Sequence, residues 1–255
     1  DMEVYSAQTA WEQLRDHTEL VVFIGCDPDK NNRIEYTVCD HEMYSGWEAI
    51  KKAGCKFLSI NPQVTTTDEK MGSEWVRIVP NTDTALFLAM GYHLIHQKKH
   101  NQAFIDKYTV GFDKYRAYLE GKDGTPAKTP EWAAKITGIP ADKIRSMAEL
   151  MASKRTQLCG SWAIQRAHHG EMPYWAIVNF ACILGNIGLP GQGVGFSWHY
   201  GGGGMPQSGG TAPTGLSQGR NPVKKICPAS RISEMLLNPG KEFTYNGSKY
   251  TYPTV

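Results

Sequence analysis

With 255 residues, 41% hydrophobic and 20% charged, the chain holds enough apolar material for one large domain or two small ones, and its composition is that of a globular protein. Lysine and arginine exceed aspartate and glutamate by only 27 to 25, with no long basic block, so composition excludes an electrostatic case for nucleic acid or a membrane surface as partner. No uninterrupted apolar run reaches the ~18 residues of a membrane span, and Asp1-Met2-Glu3 does not read as a basic, then apolar, leader.

Residues 20–25 form a continuous apolar run bounded by Asp16 and Asp27, the pattern of a parallel strand buried on both faces and central in its sheet. Residues 40–53 carry Met43, Trp47 and Ile50 at helical spacing, with Asp40 as candidate N-cap and Gly54 as the stop. Residues 56–60 read as the next strand. Together these make a βαβ unit, whose right-handed crossover places the two following loops, 25–31 and 61–67, side by side at one edge of the sheet. Residues 75–79 are a further short strand closed by Pro80, and Asp83 is the candidate cap of a helix running through Leu86, Met90, His93 and Leu94.

From Asn101 to Arg155 the pattern is helical, with Pro130 and Pro140 at helix starts and Gly121, Gly124 and Gly138 as stops. A β-like run over 156–162 returns the chain to the sheet. It meets a polar turn holding Arg166, His168 and His169, and an apolar helix follows over 172–184. Residues 201–220 contain eight glycines with Pro206 and Pro213, too little apolar surface to order themselves. Two readings stand there: a flexible linker, or a loop packed against a cofactor or against other parts of an enzyme. Residues 230–237 read as a short helix, and 243–252 as a hairpin turning at Asn246-Gly247, a strong type I′ signal.

The fold expected is therefore α/β: a Rossmann-like, mainly parallel sheet flanked by helices over residues 1–200, with a helical insertion at about 101–155, followed over 201–255 by the glycine-rich loop, short helix and hairpin. Six cysteines, at 26, 39, 55, 159, 182 and 227, show no C-x-x-C pair and no zinc-type spacing to histidine. Cys26, Cys159 and Cys182 lie in apolar runs and read as buried thiols acting as small hydrophobes. Adjacent histidines point in different directions, which makes His168 and His169 a poor metal pair.

The chemistry-bearing positions cluster after the strands, where open α/β sheets present ligand sites. The loop Gly25-Cys26-Asp27-Pro28-Asp29-Lys30-Asn31 lacks both the G-x-G-x-x-G and the G-K-[ST] fingerprints, so on residues alone it is a βα turn or a phosphate-holding loop. Ile60-Asn61-Pro62 ends the second strand and Asn81-Thr82-Asp83 opens a helix, where orphan N–H groups receive a base or a phosphate. Turn formation at Asn61 and N-capping by Asp83 are the structural alternatives. Trp162, Ala163 and Arg166 follow the fourth strand: Trp162 suits a core, and Arg166 holds an anion or makes a surface salt bridge.

These segments, together with Met2-Glu3-Val4-Tyr5, Trp11 and Trp198-His199-Tyr200, closely resemble the dimethyl sulfoxide reductase family of molybdenum oxidoreductases, on its trimethylamine-N-oxide reductase and biotin sulfoxide reductase side. The resemblance implies that the chain is an internal piece of a much longer enzyme carrying molybdenum on two molybdopterin guanine dinucleotides. It implies cofactor contacts at Lys30, Asn31, Ile60, Asn61, Asn81, Thr82, Asp83, Trp162, Ala163 and Arg166. At Asn61 the family has an aspartate that grips guanosine, so this chain departs from the pattern: the amide keeps an acceptor, gains a donor and loses the charge.

The family's molybdenum-ligating serine has no counterpart here, so no catalytic or metal-binding residue is expected in this piece, and the piece alone is expected to show no reductase activity and to hold the cofactor incompletely or not at all. For the whole enzyme the resemblance implies reduction of trimethylamine N-oxide, dimethyl sulfoxide or biotin sulfoxide, and an electron-donating cytochrome. It also implies a periplasmic location, or a cytoplasmic one on the biotin sulfoxide reductase side. The alternative is a non-catalytic nucleotide-binding or interaction module derived from that family.

Overall fold

The computed structural model describes residues 9–31, 43–196 and 227–254, with Ser217, Gly219, Arg220 and Pro222. Asp40, Cys39, the Met2–Tyr5 and Trp198–Tyr200 motifs and most of the glycine-rich segment lie outside the described residues. The chain divides into two compact units, residues 1–213 and 214–255.

In the first unit the elements follow as α1 (Trp11–His17), β1 (Leu20–Ile24), α2 (Pro28–Asn31), α3 (Met43–Lys52), β2 (Lys56–Asn61), α4 (Thr66–Met71), β3 (Glu74–Arg77), α5 (Asp83–His96), α6 (Gln102–Tyr108), α7 (Phe112–Leu119), α8 (Pro130–Thr137), α9 (Ala141–Ser153), β4 (Thr156–Gly160), a 3₁₀ turn (Trp162–Gln165), α10 (Glu171–Leu184) and β5 (Gly193–Phe196). The five strands form one sheet in the order β3-β2-β1-β4-β5, and every pairing is parallel. The expected α/β class and parallel sheet are what the chain adopts.

Strand β1 explains the architecture. All five of its side chains are buried, and their alternation divides them between two cores. Leu20, Val22 and Ile24 join Leu58, Ile60, Val76 and Leu158 under α5, α9 and α10. Val21 and Phe23 face the other way, with Phe57, Cys159 and the α3 residues Trp47 and Ile50. A strand covered on both faces needs apolar residues at both parities, which is why it reads as an unbroken run. The second core is aromatic: Phe23 lies 5.2 Å from Trp47 edge-on and 5.9 Å from Phe57 in a stack. Trp11 of α1 meets Trp47 at 5.2 Å, and it fits there because Gly46 has no Cβ, which would lie 2.3 Å from the indole.

On the opposite face α5 is buried almost throughout its length, because α8, α9 and α10 all pack on it. Residues 101–155 thus form an outer helical layer over α5. Pro130 is the first residue of α8, where its missing N–H has no partner to lose, and Gly138 ends that helix in the left-handed region.

In the second unit a 3₁₀ turn (Ala229–Arg231) runs into α11 (Ile232–Leu237), and β6 (Glu242–Tyr245) pairs antiparallel with β7 (Ser248–Thr251). Asn246 and Gly247 have φ of 47° and 75°, the two positive angles of a type I′ turn. Phe243 stacks on Tyr252 at 4.3 Å, with the Arg231 guanidinium 5.4 Å from its centroid.

Several expectations are corrected. The 25–31 loop contains the helical turn α2, and α4 begins at Thr66 inside the stretch read as loop. Its cap is reciprocal: the Thr65 hydroxyl accepts from the Asp68 N–H at 3.2 Å, and the Asp68 carboxylate accepts from the Thr65 N–H at 2.8 Å. Asp83 is the first residue of α5, not its cap; Thr82 holds the cap position without a capping bond. Strand β3 ends at Arg77, because the Val79 N–H turns out of the sheet to the Thr137 carbonyl at 2.9 Å. Strand β4 stops at Gly160, because Ser161 turns the chain into the 3₁₀ helix, its hydroxyl accepting from the Ala163 N–H. Cys182 is half-buried, facing a pocket it lines with Ile105 of α6 and Tyr115 of α7, while Cys26 and Cys159 are buried.

Candidate cofactor cleft

Strand order reverses between β1 and β4, so the loops leaving these two strands diverge and open a crevice at their carboxyl ends. A cleft of about 390 Å³ lies there, lined from four strand ends: Lys30 after β1, Ile60 and Asn61 at β2, Asn81 and Asp83 after β3, Ala163 and Ile164 after β4. Of the residues singled out by sequence, Lys30, Ile60, Asn61, Asn81, Asp83 and Ala163 line the cleft; Thr82, Trp162 and Arg166 do not, and the side chain of Asn31 lies outside the described ones.

Gly25 brings the β1 and β4 loops together. Its φ is +55°, its N–H donates to the Ile60 carbonyl at 3.1 Å, and a Cβ there would stand 2.3 Å from Ile164 Cγ2. Only glycine has both the left-handed freedom and the empty space. Asn61 is buried, and its amide nitrogen donates to the Cys26 carbonyl at 3.2 Å and to Ser59 Oγ at 2.8 Å. Both N–H groups are thereby committed to the β1 loop and to its own strand, and Oδ1 is the group this side chain retains for a ligand. An aspartate could not donate to the Cys26 carbonyl.

Asn81 adopts φ 64°, a region asparagine tolerates. Its amide donates to the His168 carbonyl at 3.3 Å, joining the loop after β3 to the loop after β4. Asp83 is buried, and burial pushes its carboxyl above the usual carboxylate range, opposed by a backbone hydrogen bond. Lys30 is a cation of the cleft lining, 59% exposed, with Nζ 3.5 Å from Asp27 Oδ2.

The other predicted positions sit around this cleft. Asn31 is the last residue of α2. The Thr82 hydroxyl donates to the Val79 carbonyl at 2.6 Å. Trp162 is half-buried with its ring 6.2 Å from that of Tyr174. Arg166 is exposed, between the lining residues Ala163 and Ala167. Sequence reasoning passed over Asp27, whose carboxylate accepts from the Thr67 hydroxyl at 2.6 Å; the T-x-x-D signal at Thr65–Asp68 would have located α4 and so Thr67.

Among the described residues no group of three histidines, cysteines or carboxylates could hold a metal ion, and no helix is long and apolar enough to cross a membrane. His168 and His169 have ring centroids 3.9 Å apart. A larger cleft of about 530 Å³, between α3 and α4, contains none of the predicted residues.

The family model for molybdopterin oxidoreductases matches residues 2–248. The chain belongs to the molybdopterin oxidoreductase family. Among its relatives in that family, the dimethyl sulfoxide/trimethylamine N-oxide reductase of Cereibacter sphaeroides is 44% identical over all of this chain and 32% of its own length. The trimethylamine-N-oxide reductase of Haemophilus influenzae is 38% identical with the same coverage. The chain thus spans about a third of the length of these molybdopterin oxidoreductases. A solved structure, acetylene hydratase from Pelobacter acetylenicus, shares the fold at TM-score 0.54 and 21% identity, over 68% of this chain and 22% of the hydratase.

Membership of the family implies a molybdopterin cofactor. The cleft fits a phosphate-bearing polar ligand: it offers the exposed Lys30 ammonium, the Asn61 amide oxygen and the buried Asp83 carboxyl.

Proposed function

We propose that this cleft holds the guanosine diphosphate end of a molybdopterin guanine dinucleotide, within a molybdenum-dependent N-oxide or S-oxide reductase. The observation that carries the proposal is the meeting of Lys30, Asn61, Asn81, Asp83 and Ala163 from four separate strand ends at the switch point of the sheet.

Lys30 meets the diphosphate as a point charge, free to move because most of its side chain is exposed. Asn61 Oδ1 and the Asp83 carboxyl are acceptors, the complement of the guanine N1–H and amino group. Adenine has no N1–H, so the same pair discriminates against it. A donor arriving at Asp83 also favours its charged form, offsetting the burial that works against that form. Arg166, exposed beside the lining, supplies a second cation for the diphosphate, while Asn31, Thr82 and Trp162 complete the surround.

When bound, the cofactor would supply the molybdenum centre for reduction of an oxide by two electrons and two protons to amine or sulfide and water. The residues of this chain bind and orient; none is assigned a chemical step. Trimethylamine N-oxide or dimethyl sulfoxide as substrate, a cytochrome as electron donor and a periplasmic location belong to the same reading of the whole enzyme. Two of the relatives are named for those two oxides.

Titration calorimetry tests the binding role directly. GDP is expected to bind more tightly than ADP, and Lys30→Ala to weaken GDP by about tenfold, the scale of one hydrogen bond to a charged group. Equal affinity for the two nucleotides, unchanged by Lys30→Ala, Asn61→Ala and Asp83→Ala, would overturn the assignment.

A further inference from the structure

We infer that Asp27 is a positioning residue for the phosphate end of this cleft, fixing where Lys30 stands by tying the loop after β1 to the first turn of α4. The inference rests on the nucleotide reading proposed above.

Asp27 directly precedes Pro28, the first residue of α2, a place where an aspartate ordinarily spends its side chain on the next N–H groups of its own helix. Here the carboxylate crosses instead to the neighbouring strand's connection. Its Oδ1 accepts from the Thr67 hydroxyl at 2.6 Å, the Thr67 N–H at 3.3 Å and the Thr66 hydroxyl at 3.4 Å. The Thr67 hydroxyl accepts in turn from the Asp29 N–H at 2.9 Å, and Lys70 of α4 donates to the Asp29 carboxylate at 2.5 Å. Two short elements, neither long enough to be rigid alone, are thus stitched into one rim.

Lys30 is held by this residue twice. Its N–H donates to the Asp27 carbonyl at 3.0 Å, and its ammonium lies 3.5 Å from Asp27 Oδ2. The two contacts differ in strength. The side chain of Asp27 is only 14% exposed and its Oδ1 accepts from the Thr67 hydroxyl at 2.6 Å, whereas the ammonium contact is long and the Lys30 side chain largely solvent-exposed. An arriving diphosphate therefore draws the Lys30 ammonium off Oδ2 while the hydrogen bonds to Thr67 stay in place. Asp27 acts through its acceptor geometry; its charge contributes little.

That distinction gives the test, GDP affinity by calorimetry with melting temperature as control. Asp27→Asn keeps an acceptor for Thr67 and is expected to bind within about threefold of wild type, the scale of an exposed ion pair. Asp27→Ala and Thr67→Val remove the bond and are expected to lose about tenfold. In a Lys30→Ala background Asp27→Ala is expected to cause no further loss, because its effect passes through Lys30. Full affinity in Asp27→Ala overturns the inference and leaves the cleft assignment standing. A tenfold loss that persists without Lys30, or follows the melting temperature alone, also overturns it, since that is general loosening. If wild type binds no GDP, the cleft assignment and this inference fall together.

Discussion

Asp83 shows how one buried group couples the cleft to stability. Burial lifts its carboxyl above the ordinary value, so between that value and the raised one the folded chain holds a proton that the unfolded chain has released. Stability therefore falls as pH rises through this window, and the penalty is complete above it. Asp83→Asn should melt at a higher temperature than wild type at neutral pH, with the advantage shrinking as pH drops into the ordinary carboxylate range; a lower melting temperature at neutral pH would contradict this coupling. Thiol chemistry offers a second check. Cys55 is pushed up to about 12 by burial, Cys26 and Cys159 are buried 3.8 Å apart at Sγ, and Cys227 is exposed. Maleimide labelling read by mass spectrometry should modify Cys227 in the folded chain and leave those three untouched until the chain unfolds. At this scale the sequence singled out Lys30, Asn61 and Asp83 in the segments at strand ends, and all three line the cleft. Asp27 was silent, because its partner Thr67 lies 40 residues away and only the folded crossover joins them.

Among the elements, the apolar runs were the legible ones. β1 is buried on both faces and wholly apolar, and β2 carries Phe57, Leu58 and Ile60 into the cores, so their sequences announce them. Phe23 packs its ring against both Trp47 and Phe57 at the centre of the second core, and Phe23→Ala should cost about 3–5 kcal/mol in denaturant unfolding. β5 went unread because Gly193 and Gly195 break its pattern, although it pairs in register with β4. α4 was hidden by its length, and only its capping box signals it: Thr65→Ala should lower stability by about 0.5–2 kcal/mol. Gly25 sits where two elements converge. Gly25→Ala adds a Cβ at positive φ against Ile164, and should cost about 1–3 kcal/mol from the strained backbone. Unfolding as stable as wild type would show that the β1 and β4 loops do not approach each other so closely.

For the whole molecule, the parallel order β3-β2-β1-β4-β5 accounts for the position of the cleft, since only at β1 and β4 do neighbouring connections part. Parallel βα alternation and the β1–β2 neighbourhood were readable from the βαβ unit; the pairing of β4 with β1 was not, because the long helical layer of residues 102–153 separates β3 from β4 in sequence. The nucleotide site proposed above lies at this crevice. The chain also offers a competing surface, the larger lysine-lined cleft between α3 and α4, and an anionic ligand drawn by charge alone would go there. Amide chemical-shift mapping during a GDP titration separates the two. Binding at the switch point predicts saturable shifts concentrated at residues 25–31, 60–63, 80–83 and 161–167; shifts centred on Lys51, Lys52 and Lys70, or no saturable shifts, would contradict it.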